Sequence, residues 1–163
     1  MQPTTEKMFQ VACATLDIDL ITIDATGSKF PIKHGYVKQA LDRGISFEIV
    51  YGQSILNPSI RSKAIMAGNS ICRVTRGKNV IFTSAADSDW ILRSPADAIN
   101  LAGVFGVPAH FKKAALVEHP RLLMEHAAAQ KLTFRSAVIS VPEALISGSQ
   151  KYTSDMQEDF IRF

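Results

Sequence analysis

The sequence predicts an α/β domain built on a parallel sheet, and three observations carry that prediction. Short β-branched apolar runs alternate with longer stretches of helical periodicity. Helix starts such as Asn57-Pro58 and Ser94-Pro95 pair a capping residue with proline. The run from Val80 to Ala86 is apolar almost without a break, as a strand covered on both faces is. Right-handed crossovers make such a sheet parallel, either open and doubly wound or part of a (β/α) barrel. A chain of 163 residues, 47% apolar and 20% charged, has the material for one core.

Each element follows from its residues. Thr4 to Thr15 sets Met8, Val11, Ala12 and Thr15 on one helical face, with Thr4 or Thr5 as the cap. Asp19 to Asp24 is a strand stopped by the loop residues Ala25-Thr26-Gly27-Ser28. Val37 to Arg43 is a short helix closed by Gly44, and Ile45 to Tyr51 is the second strand. Asn57-Pro58 opens a long helix that runs to about Arg76, where Gly77 closes it. Ile60, Ala64, Ile65, Ala67, Gly68, Ile71, Cys72 and Val74 share its apolar side, and Ser62, Lys63, Asn69, Ser70, Arg73 and Arg76 its polar side. Val80 to Ala86 is the third strand. Ser94-Pro95-Ala96-Asp97 opens a helix that ends at Phe105-Gly106, with Asp97 in the first turn. Pro108 and Pro120 mark the first positions of two more helices, and Ser136 to Val141 is a last strand. The domain is expected over residues 1–141, with 142–163 a polar, flexible tail.

Several function classes lack their residues. Met1 to Lys7 is polar and carries an acid, unlike a secretory signal, and no apolar run reaches the roughly 18 residues of a membrane span, so a soluble, intracellular chain without membrane contact is expected. Cys13 and Cys72 are far apart in apolar helical surroundings and read as buried reduced thiols. No His-x-His or His-Glu-x-x-His spacing occurs among His34, His110, His119 and His126. Ser84 lies outside any Gly-x-Ser-x-Gly elbow, and Gly77-Lys78 has no upstream glycine at P-loop distance. Asp24, Glu48 and Asp87 sit at strand carboxyl ends, where they can either cap loops or converge on a divalent metal. A metal-dependent phosphoesterase is therefore the alternative reading. No cofactor is called for.

Charge is distributed unevenly. The chain carries 18 basic and 15 acidic residues, a net +3. From Ile49 through Ala86 there is no acid, while Arg61, Lys63, Arg73, Arg76 and Lys78 all fall in that window. Arg73, Arg76 and Lys78 gather at the carboxyl end of the long helix, where they either complement the helix dipole or contact backbone phosphates.

The blocks Pro3-Thr4-Thr5-Glu6-Lys7-Met8-Phe9, Leu16 to Leu20, Ala40 to Tyr51, Arg76-Gly77-Lys78-Asn79-Val80-Ile81 with Ser84-Ala85-Ala86, and Arg93-Ser94-Pro95-Ala96-Asp97 stand in one register from about Pro3 to about Phe134. Together they resemble the thirty-kilodalton protein subunit family of ribonuclease P and ribonuclease MRP. The resemblance implies a TIM-like barrel of the polymerase-and-histidinol-phosphatase type that has lost its metal site. It implies a non-catalytic scaffold of a nuclear, nucleolar ribonucleoprotein, active in tRNA and rRNA processing, in which the RNA removes the 5′ leader of precursor tRNA. The implied partners are that RNA, precursor tRNA indirectly, and a small RNA-binding protein subunit. Arg61 takes the place of the first of the family's paired arginines; the second is Ser62 here, with Lys63 beside it. Lys78 matches the lysine of the Gly-Lys-Asn-Val block, and Arg93 the arginine before the proline-led helix start. Arg61, Lys63, Arg73, Arg76, Lys78 and Arg93 are thus the expected RNA-facing or partner-facing set. The family's first β/α units would precede Pro3, so a partial barrel is expected, about 90 residues short of the roughly 250 of a closed one. That makes the chain a shortened isoform, a truncated gene product or a cut fragment, and a truncated isoform with no function of its own is a further alternative.

Overall fold

The computed structural model describes residues 1–23 and 30–132, with side chains through residue 128. Asp24, the loop at 25–28, the strand expected at 136–141 and the tail at 142–163 lie outside the described residues. Chain contacts divide the protein into Met1–Ala127 and Ala128–Phe163, and the architecture below is that of the first unit.

In order come α1 (Glu6–Ala14), β1 (Leu20–Ile23), α2 (His34–Asp42), β2 (Ser46–Val50), α3 (Gly52–Leu56), α4 (Pro58–Thr75), β3 (Val80–Thr83), α5 (Pro95–Val104), α6 (Lys112–Leu116) and α7 (Glu118–Leu132). Single 3₁₀ turns stand at Asp89–Ile91 and Ala109–Phe111. The strands form a parallel sheet in the order β1-β2-β3, with Ile21 opposite Phe47 and Phe47 opposite Val80. Side chains alternate between its faces. One face carries Ile21, Ile23, Phe47, Ile49, Val80 and Phe82, all buried in one cluster with Phe9 and Cys13 of α1, Val37 and Ala40 of α2, Ile71 and Cys72 of α4 and Ala102 of α5. Phe82 stacks on Tyr51 at 5.0 Å and meets Phe105 edge-on at 5.2 Å. Each such ring contributes about 1.5 to 3 kcal/mol through apolar burial. The opposite face carries Thr22, Glu48, Val50 and Thr83, all half-buried. Its one buried apolar residue, Ile81, lies outside that cluster.

Met1 runs beside β1 in the manner of a parallel ladder. Its amino group donates to the Leu20 carbonyl at 2.8 Å, and its carbonyl accepts from the Thr22 amide at 2.8 Å. Farther along, α7 reaches the amino ends of both edge strands. His119 Nδ1 bonds the Val80 carbonyl at 2.6 Å and His126 Nδ1 bonds Asp19 Oδ1 at 3.0 Å.

Helix ends obey local chemistry. Thr5 Oγ1 accepts from the Met8 amide at 3.3 Å, Asn57 Oδ1 from Ser59 at 3.0 Å, and Ser94 Oγ from Asp97 at 3.2 Å. Each cap is worth about 1 kcal/mol. Three sequence expectations are corrected. In α1 the buried residues are Phe9, Ala12 and Cys13, while Met8 and Val11 are 40% and 47% exposed. A helix turns about 100° per residue, and rotating Phe9 inward against Phe30 and Phe47 buries more apolar area than the Met8 face offers. Pro120 is the third residue of α7 rather than its first, and Pro108 precedes a 3₁₀ turn. The third strand stops at Thr83 because the chain turns left-handed at Ala85, φ 41°.

Candidate nucleic-acid interface

As the crossover between two parallel strands, α4 runs against them, so Pro58 lies toward their carboxyl ends and Thr75 toward their amino ends. The inner side of α4 is Ala64, Gly68, Ile71, Cys72 and Thr75, all buried. Lys63, Met66 and Arg73 are exposed on its outer side. Along the axis Lys63 and Arg73 are about 15 Å apart.

The carboxyl end of α4 is a stiff platform. Thr75 Oγ1 donates to the Ile71 carbonyl at 2.9 Å and accepts from the Gly77 amide at 3.1 Å. Three residues in four are left-handed: Arg76 at φ 56°, Gly77 at 80° and Asn79 at 51°. Gly77 is required twice over, because a Cβ there would stand 2.8 Å from both Phe111 and Pro108. The turn projects Arg76 and Lys78 into solvent. On one side of α4, Arg73 and Arg76 border a groove with Met66, Ser70, Gly106 and Pro108. On the other, Lys78 joins His34, Lys38, Leu41, Asp42 and Asn79 in a second groove. Lys63, Arg73, Arg76, Lys78 and Lys38 have no hydrogen-bond or ion-pair partner among the described residues. Cys72 lines the first groove but is buried, and burial pushes its thiol up to about 12, which leaves it protonated.

Two members of the expected set are placed differently. Arg61 is at the opposite end of α4, where Nε donates to the Ser54 carbonyl at 2.9 Å and Nη2 to that of Ile55 at 3.1 Å, closing α3. Arg93 Nη1 donates to the carbonyls of Trp90 at 3.1 Å and Leu92 at 3.0 Å. Sequence patterning gave no sign of Lys38. It joins Lys78 only through the packing of α2 on α4.

The acids singled out at the strand ends do not gather among the described residues. Glu48 projects from the central strand between two threonines, Oε2 accepting from Thr22 Oγ1 at 2.6 Å and Oε1 from Thr83 Oγ1 at 2.8 Å. Asp87 is exposed in the loop beyond β3. No group of three His, Cys, Asp or Glu side chains spaced to hold a metal occurs among the described residues. No helix among them is long and apolar enough to cross a membrane.

Both the fold and the sequence have known relatives. A cryo-EM structure of archaeal ribonuclease P with mature tRNA contains a chain that matches with a TM-score of 0.70 at 14% identity, over 86% of this chain and 63% of that one. Mouse "Ribonuclease P protein subunit p30" is 38% identical over 133 residues, which are 81% of this chain and 50% of the relative. "Ribonuclease P protein subunit drpp30" of Dictyostelium discoideum is 37% identical over 143 residues, 88% of this chain and 38% of the relative. The chain thus spans half or less of these two relatives. A family profile described as RNase P subunit p30 matches residues 1–132, and the chain belongs to that family.

Proposed function

We propose that this chain is an RNA-binding, non-catalytic part of the ribonuclease P particle, shared with MRP, that supports removal of the 5′ leader from precursor tRNA. The observation that carries the reading is a set of cations, Lys38, Arg73, Arg76 and Lys78, unpaired among the described residues and gathered at a rigid helix end in a member of this family. Cations without intramolecular partners are free to displace counterions from phosphates. Lys63 extends the set along α4. Arg61 and Arg93 support it indirectly, by fixing loops. The fold proposed for the assembled protein is a TIM-like barrel, a reading supported by the way α1, α2, α4 and α5, among the described residues, share one buried cluster with one face of the parallel sheet, as in a barrel wall. The proposed partners are the particle's RNA, precursor tRNA indirectly and a small RNA-binding protein subunit, and the proposed location is the nucleus and nucleolus. The domain is proposed to extend over 1–141 with 142–163 as its tail.

RNA affinity across a salt series tests this. Replacing Arg73, Arg76 and Lys78 with alanine is expected to weaken binding and to flatten the plot of log affinity against log salt by about 0.7 to 0.9 for each phosphate that is no longer neutralised. An unchanged slope overturns the reading.

A further inference from the structure

The loop beyond β3 has a different chemistry from the end of α4. From Asp87 to Asp97 every residue is exposed except Ile91. Trp90, the chain's one tryptophan, is 84% exposed and Leu92 is 55% exposed. The loop is nevertheless fixed. Ile91 is buried against Gly52, where a Cβ would stand 2.8 Å from Ile91 Cγ2 and 2.1 Å from the Ser84 carbonyl oxygen. The Ile91 amide bonds the Ser88 carbonyl at 3.0 Å, and the Leu92 amide that of Asp89 at 3.2 Å. Arg93 ties down the carbonyls of Trp90 and Leu92. An indole held outward on an ordered loop loses little further freedom when another molecule covers it, which is the property of an interface anchor.

Charge selects the occupant. Asp87 and Asp89 are exposed on this loop, Asp97 is exposed in the first turn of α5 just after it, and the loop's one cation, Arg93, is engaged with backbone carbonyls. Phosphates would be repelled here, whereas lysine and arginine side chains of a protein would be attracted. α3, which packs on the 3₁₀ turn, ends in Leu56, itself 62% exposed. We propose that the Trp90 loop docks a protein component of the same particle, whose apolar pocket, ringed by basic side chains, takes the indole and Leu92. This rests on the ribonucleoprotein reading above. It gives the molecule two surfaces, with RNA at the carboxyl end of α4 and protein at the carboxyl edge of the sheet.

Because tryptophan occurs once, 5-fluorotryptophan labels this site alone. The labelled chain is mixed with the particle's RNA, and separately with each of its other purified protein subunits, and the fluorine resonance is followed. RNA alone is expected to leave the resonance in place, and one protein subunit to shift and broaden it. Trp90→Ala, Leu92→Ala and the pair Asp87→Lys with Asp89→Lys are each expected to weaken binding to that subunit about tenfold or more, with RNA affinity and thermal midpoint unchanged. A resonance moved by RNA alone makes the indole a base-stacking platform and overturns the proposal. A subunit that binds with the resonance unmoved and Trp90→Ala without effect overturns it too, while leaving the ribonucleoprotein reading intact. If neither RNA nor any subunit binds, both fail.

Discussion

Arg61 and Arg76 stand at opposite ends of the same helix, and both are exposed. Arg61 spends its guanidinium on the Ser54 and Ile55 carbonyls, whereas Arg76 has no partner among the described residues and sits in a left-handed backbone. One arginine holds the protein together, and the other is held out by it at some conformational cost. Cations that are both exposed therefore differ in what they are free to bind, and the difference lies in backbone carbonyls that a charge count does not register.

The sharpest way to break this contrast is at the tied end. Gly52→Ala drives a Cβ into the Ser84 carbonyl, which is backbone and has little room to yield. We expect a loss of about 3 kcal/mol or more in urea unfolding, since overpacking of this kind costs at least the upper end of its usual range. Arg61→Ala uncovers the last carbonyls of α3 and is expected to cost about 1 kcal/mol while leaving the salt slope of RNA binding unchanged. A reduced slope would mean that Arg61 also contacts phosphate.

Arg76→Gly sharpens the other half. Glycine adopts a left-handed backbone without the penalty that arginine meets at φ 56°. Stability is expected to rise by about 0.5 to 1 kcal/mol while RNA affinity falls. Two readouts moving in opposite directions identify a residue kept for binding at the expense of stability. If both fall, the Arg76 side chain has a structural role.

The smallest effect concerns the thiols, and it appears only in alkali. Burial pushes Cys13 up to about 11, against a smaller opposing pull from Arg43, and Cys72 up to about 12. In the unfolded chain both ionise near their ordinary value of 9.0, so the unfolded state loses protons first and stability falls as pH rises above about 9. At pH 8 the native chain is expected to resist thiol alkylation until denaturant is added. Fast alkylation of Cys72 would mean that Arg73 and Arg76 outweigh burial at the groove floor.

Much of the fold was legible because it depends on local chemistry. Asn57-Pro58 and Ser94-Pro95 announced their helices by capping, and the β-branched runs announced three parallel strands. The face of α1 was not legible, since Met8 and Phe9 compete for the same side and only the rings of Phe30 and Phe47 decide between them. α3 was missed because Gly52 to Leu56 makes a single turn with no side-chain cap. Within the candidate site, Arg73, Arg76 and Lys78 were visible as a cluster close in sequence. Lys38 was not, because it arrives on a different helix. Glu48 was visible as an acid at a strand end, but the threonines that engage it lie 26 and 35 residues away and reach it only through the register of the sheet.

The length of α4 has a consequence of its own. Its 18 residues span about 27 Å and join the end near the Trp90 loop to the end bearing Arg73 and Arg76. Packed along one side and capped at Asn57, the helix serves as a ruler. A macromolecule seated at each end would have its separation from the other dictated by helix rise, in steps of about 1.5 Å per residue. Lengthening α4 by one turn would then displace one guest relative to the other by about 5.4 Å without altering either contact surface.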